Sequence, residues 1–235
     1  MLSPHQDDET IGCGLLMAEK ARRGERVTVA VATDGRGGWY SPEPRPTPDD
    51  IVSIRHLEWH RALDALGVPP ADRVEFGFPD GALPQHEAEL VDRILEILEL
   101  VRPSQIFVTR PGDPHPDHRS LVRAVGTALL QAEGAAAASS PRVFTYRVYP
   151  GEGVWPQGRP SHVGPGATIR QLARSLMGLS HGRPLLLRAR RVAPVKATAI
   201  DCYESQQRLL AGELRYVWDK GVELYWPMEM PLPSG

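Results

Sequence analysis

The chain has 235 residues, with 27 Lys and Arg against 29 Asp and Glu and a formal net charge of −2. A chain of this length buries roughly 70% of its unfolded surface, enough for a core without disulfides or a structural metal. A composition of 41% hydrophobic and 24% charged residues excludes wholesale disorder, and near-neutral charge argues against non-specific nucleic-acid binding. No apolar run approaches the ~20 residues that span a bilayer. Two cysteines, Cys13 and Cys202, cannot form a disulfide framework, and no secretory leader opens the sequence, so we expect reduced thiols and a cytoplasmic protein. We read residues 1–235 as a single domain.

In chain order, a helix is expected from Thr10 to Arg23, with Ile11, Leu15, Met17, Ala18 and Ala21 on its apolar side and Gly24 as its stop. Residues 26–33 are β-branched and almost continuously apolar, as in a strand buried on both faces. Residues 36–50 form a proline-rich loop. Asp49 or Asp50 then caps a helix with Ile51, Ile54, Leu57 and Leu66 on one side, ending at Gly67. Strands are expected at 73–78, 104–109 and 142–149, and a helix at 87–101 that Pro103 stops. A further helix follows His118, residues 134–140 are a low-complexity connector, and residues 150–166 form a second Gly- and Pro-rich loop. Trp39, Tyr40 and Trp155 lie in the two loops, where they either stack on a ligand ring or pack the loops down. Alternating strands and helices imply an α/β fold, Rossmann-like, with a mostly parallel sheet between helical layers. In such sheets, sites form at the carboxyl ends of the strands.

Two polar clusters fall at such ends. Pro4-His5-Gln6-Asp7-Asp8-Glu9 precedes the first helix, and Asp113-Pro114-His115-Pro116-Asp117-His118 follows the strand ending near Thr109. Their imidazoles and carboxylates suit a catalytic zinc, which takes three such protein ligands and leaves the fourth position to water. His5 and Asp8 are three residues apart, as are His115 and His118, with Pro116 favouring a loop or first-turn setting for the second pair. One of His115 and His118 completes the ligand set, leaving a spare carboxylate as general base and a spare histidine for a leaving group or oxyanion. Fe²⁺ tolerates the same donors. Read singly, Asp7, Asp8 and Glu9 are also ordinary helix caps, Arg55 and Glu58 an exposed i,i+3 pair, and Asp80 a turn residue.

The run SPHQDDETIGCG resembles the Pro-His-x-Asp-Asp-Glu signature of the LmbE-like/PIG-L zinc-dependent N-deacetylases, and DPHPDH resembles that family's His-x-Asp-His signature. Ala32-Thr33-Asp34-Gly35, the Arg55–Glu58 helix, the turn Pro79-Asp80-Gly81, and Lys196 with Tyr203-Glu204-Ser205-Gln206 extend the resemblance. It implies one zinc held by His5, Asp8 and His118, with Asp7 as general base. His115 is then the general acid or oxyanion cation, oriented by Asp117, and Arg55 and Asp80 contact substrate. The implied reaction removes an N-acetyl group from an N-acetylglucosamine-type small molecule. The implied fold carries a strand of about five residues ahead of the first motif. Only Met1 and Leu2 precede Ser3 here, so natural residues ahead of Met1 are expected. The rival readings are a two-metal phosphoesterase and a non-catalytic sugar-binding relative.

Overall fold

The structure is a computed structural model that describes residues 1–41, 43–133, 140–148, 184–206, 210 and 221–228. The second loop with Trp155, most of the 134–140 connector and Trp218 lie outside the described residues.

Strand β1 (Leu2–Ser3) pairs in parallel with β2 (Val29–Thr33), and β2 with β3 (Arg73–Phe78). A second ladder holds β4 (Gln105–Thr109) parallel to β5 (Arg142–Tyr146). Antiparallel to β5 runs β7 (Val222–Met228), which pairs in turn with β6 (Leu185–Arg188). The terminal segment, which carried no motif in the sequence, thus supplies a central strand of this ladder. The two ladders meet where β1 lies beside β4. The Tyr146 hydroxyl donates to the Leu2 carbonyl at 3.1 Å, which ties β1 to β5 as well.

The helices are α1 (Asp8–Arg22), α2 (Pro48–Leu66), α3 (Glu87–Val101), α4 (Pro116–Glu133) and α5 (Ala193–Asp201). Gly24, at φ 72°, follows α1, as its sequence implies. The cap of α2 is Thr47 rather than Asp49 or Asp50: its side chain accepts from the Asp50 N–H, and Pro48 occupies the first turn. The α2 stripe also differs from its apolar pattern. Ile51, Trp59, Leu63 and Leu66 are buried, but so are Arg55 and Glu58, while Leu57 is exposed. Polar residues occupy part of the inward face, and counting apolar positions alone rotated the helix. Helix α4 starts at Pro116, earlier than expected, because proline is favoured in a first turn; Asp117 and His118 are therefore helical.

Side chains alternate across the strands into two cores. Val29, Val31, Phe107, Phe144 and Tyr146 join α1, α2 and α5 on one side. Ala30, Ala32, Ile106, Val108 and Val143 join α3 and α4 on the other. Two glycines let α1 approach closely: a Cβ on Gly12 would run into the Tyr146 ring, and one on Gly14 would lie 2.9 Å from Lys196 Cγ. Between α1, α5 and β7 the buried Lys196 ammonium reaches Glu223 at 2.7 Å and donates to the Ile11 carbonyl at 2.6 Å. The same Glu223 carboxylate accepts from the Leu15 and Leu16 N–H groups.

Candidate metal and active site

The two polar clusters come together at the carboxyl ends of β1 and β4. Two-residue β1 is reinforced by its neighbours. The Pro4 carbonyl accepts from the Thr33 N–H and hydroxyl, each at 2.9 Å, and Gln6 Nε2 donates to the Thr33 carbonyl. The chain then enters α1 through Asp7, whose φ of 136° is unusual for a residue with a Cβ. The buried Arg55 guanidinium crosses this turn, donating to the Gln6 carbonyl and, at 3.3 Å, to Asp7 Oδ2. Arg55 and Glu58 therefore do not form the exposed surface pair that their spacing also allowed.

His5 Nδ1, Asp8 Oδ2 and His118 Nε2 form a triangle with edges of 3.2, 3.2 and 3.3 Å. Ligands about 2.0–2.1 Å from a tetrahedral ion stand about 3.3 Å apart, so these three atoms match one face of a zinc coordination tetrahedron. Asp8 and His118 are buried, and His5 is nearly so. Carboxylates back both imidazoles: His5 Nε2 lies 3.2 Å from Asp117 Oδ2 and 3.1 Å from Asp80 Oδ1, and His118 Nδ1 lies 3.1 Å from Asp113 Oδ2. Such partners fix the tautomer and raise the basicity of metal-binding histidines.

His115 borders the triangle, its ring centroid 4.7 Å from that of His5 and 5.1 Å from that of His118. Its Nδ1 accepts from the Asp117 main-chain N–H at 3.2 Å. Asp117 thus touches His115 through its backbone. Its carboxylate instead accepts from the Gly81 and Leu83 N–H groups and reaches His5. Asp80, expected to face a substrate, contacts His5 and accepts from the Gly37 N–H at 3.1 Å. In the first loop, Tyr40 N–H donates to the Ser205 carbonyl and Gln206 Nε2 to the Gly38 carbonyl, which packs that loop against the segment after α5. Ser205 in turn donates through its N–H and hydroxyl to Glu58, each at 2.6 Å. No role was expected of Asp113 from its sequence alone. Its signal was its place two residues before His115, where its Oδ1 accepts the His115 N–H at 2.9 Å as turn-forming aspartates do.

The electrostatics sort these groups. Burial pushes the Asp7 carboxyl up to about 7, helped by Asp8 and Glu9 and opposed by Arg55. Burial also disfavours a charged Asp8, but His118 and His5 outweigh it and hold that carboxyl well below the usual range. For His118, burial opposes the cation, yet Asp8 and Asp113 raise it to about 9. His115 falls to about 4 through burial and its two histidine neighbours.

The profile of the PIG-L family, described as GlcNAc-PI de-N-acetylase, matches residues 1–129, and the chain belongs to this family. It is 31% identical over 160 residues to a 1D-myo-inositol 2-acetamido-2-deoxy-alpha-D-glucopyranoside deacetylase of Kineococcus radiotolerans, covering 55% of this chain and 44% of that protein. The chain spans about half the length of the curated relatives it matches. Among solved structures, the zinc-inhibited form of teicoplanin deacetylase Orf2 superposes with TM-score 0.70 at 20% identity, over 99% of this chain and 98% of that one. A 4-carboxy-2-hydroxymuconate hydratase from Pseudomonas putida superposes with TM-score 0.66 at 17% identity, over 100% and 95%. The shared fold therefore hosts more than one reaction, and the reaction must be argued from the site.

Proposed function

We propose that this chain is a metal-dependent amidohydrolase that removes the N-acetyl group from an N-acetylglucosamine-type small molecule, with a Rossmann-like three-layer domain over residues 1–235. The two cores on opposite strand faces and the parallel order of β3, β2 and β1 beside β4 and β5 support that architecture. The observation that carries the reaction is the His5–Asp8–His118 triangle with Asp7 beside it, in a chain that belongs to the PIG-L family. Zinc fits this donor set, at one ion per triangle, with Fe²⁺ as a substitute. When bound, it supplies Lewis acidity that polarises an amide carbonyl and lowers the pKa of a water.

The protein's own groups do the rest. Asp7, poised at about 7, accepts a proton from the attacking water as the acetyl carbon becomes tetrahedral. Arg55 holds the Asp7 turn in place. Burial disfavours a charged His115, and an imidazole that accepts at Nδ1 carries its proton on Nε2. It therefore acts as a hydrogen-bond donor to the oxyanion. Asp7 then returns its proton to the leaving amine nitrogen, the C–N bond breaks, and acetate is released. This division of labour gives Asp7 the protonation of the leaving amine that the resemblance implied for His115, and leaves His115 the oxyanion. Arg55 and Asp80 act on substrate through the groups they position. Among the described residues no helix is long and apolar enough to cross a membrane. Cys13 and Cys202 are both free, in keeping with the cytoplasmic setting proposed for this chain.

The test is acetate release from a panel of N-acetylglucosaminyl conjugates, run beside phosphate release from phosphate esters and a zinc titration of wild type and His118→Ala. Acetate release with a zinc site that His118→Ala abolishes supports the reading. Phosphate release, or zinc bound with no turnover of any acetylated sugar, overturns it.

A further inference from the structure

A second cluster of metal-ligating side chains lies on the outer flank of α2. His56 and His60 stand one helical turn apart, with ring centroids 4.4 Å apart. Opposite them is Glu75 of β3, which is paired only on its β2 side among the described residues. Arg73 and Glu75 share one face of β3, while Val74, Phe76 and Phe78 turn to the opposite core. That alternation aims the Glu75 carboxylate at the two histidines. His56 Nδ1 is 3.0 Å and His60 Nε2 3.3 Å from Glu75 Oε1, and one ligand atom from each residue falls within 4.8 Å of the others. Two of these spacings match the edge of a tetrahedral site, about 3.3 Å.

We propose that His56, His60 and Glu75 form a second, peripheral site for a divalent first-row metal ion, with two imidazoles, one carboxylate and water completing the shell. Two nitrogens and one oxygen select zinc, nickel or copper over magnesium or calcium. The surroundings hold the donors in place. The His60 ring meets Trp59 edge-on at 5.1 Å, and Arg73 donates to the His60 carbonyl at 3.1 Å. Arg73 also donates to His60 Nδ1 at 3.1 Å, which makes Nε2 the protonated nitrogen until an ion binds. Loading moves the proton to Nδ1, and Arg73 keeps its bond to the carbonyl alone. The site is independent of the triangle at His5, Asp8 and His118.

The experiment uses the tag-free full chain, stripped of metal and titrated with Zn²⁺ and separately with Ni²⁺, for wild type, His56→Ala and Glu75→Gln. Both substitutions are at exposed positions outside the candidate active site. Wild type should bind one more ion per chain than either variant, or bind it about 10–100-fold more tightly. Nitrogen NMR should show His60 switching from the Nε2–H to the Nδ1–H tautomer as that ion binds. Equal stoichiometry and affinity in all three proteins overturns the proposal. So does a loss in His56→Ala with none in Glu75→Gln, which would leave only a histidine pair on a helix.

Discussion

Asp113→Asn tests the proposed metal centre at one remove from its proposed ligands. The Asp113 carboxylate does two things: Oδ1 accepts the His115 N–H at 2.9 Å, and Oδ2 backs His118 Nδ1 at 3.1 Å. The amide that replaces it has the same shape and keeps one acceptor oxygen, so the turn at His115 survives while the anionic partner of His118 is lost. Loss of such a partner costs about 10–100-fold in metal affinity, or about 1.4–2.7 kcal/mol. A second effect opposes the first. With His118 at about 9 in the metal-free protein, a metal arriving at pH 7 must displace a proton, at about 2.7 kcal/mol for two pKa units. Asp113 supplies part of that elevation, so its removal eases the competition, by tenfold for each unit the pKa drops. The deficit should therefore be full near pH 9, where the ring is already losing its proton, and should shrink towards pH 6.5. The assay is competition for Zn²⁺ against a chelator of known affinity across that range, with circular dichroism confirming that the variant is folded. A deficit that does not change with pH, or none at pH 9, would refute the role given to Asp113.

Other changes probe the neighbouring groups. Asp7→Asn should retain zinc and lower turnover by about 10²–10⁴. Because the folded-state pKa of Asp7 is raised to about 7, its ionisation opposes folding increasingly as pH climbs from about 4 to 7. The metal-free Asn variant should therefore melt higher than wild type at pH 8 and not at pH 4. Lys196→Met leaves Glu223 buried without its cation and should cost about 3–5 kcal/mol in urea unfolding. A melting temperature equal to wild type would show that the Leu15 and Leu16 N–H groups suffice for that carboxylate. Gly12→Ala forces a methyl group against the Tyr146 ring and should destabilise by about 1–3 kcal/mol, with zinc affinity falling as α1 is pushed outward. Unchanged stability would mean that Tyr146 yields without disturbing α1.

The order of strands and helices was legible because β2, β3 and β4 are short β-branched or aromatic runs and the helices end at Gly24, Gly67 and Pro103. The meeting of the two polar clusters was legible because both follow strands at one sheet edge, whereas the choice of His5, Asp8 and His118 as ligands came from the family resemblance and stands as a proposal. Sequence could not show what holds them. Arg55 reads as half of a surface pair until α2 is seen to bury it against Asp7, and Asp80 reads as a turn residue or a substrate contact until its carboxylate is found on His5. Both depend on contacts across 43 or more positions, such as Gly37 to Asp80, which no local pattern encodes. Strand β7 could not be told from a packed tail for a related reason: its inner face carries Glu223, a charge explained only by Lys196 on α5.

The backbone at Asp7 bears on how such a site can be lost. At φ 136° and ψ −31° the Asp7 backbone lies outside the left-handed helical region; glycine carries no Cβ penalty there, and asparagine keeps the shape of the aspartate in place. Both are one base change from an aspartate codon. The substitutions that fit this turn best are thus also those that remove the proposed proton acceptor, and each leaves His5, Asp8 and His118 in place. On the proposed mechanism, one base change then suffices to give a folded protein that keeps its ion site and pocket and no longer turns over.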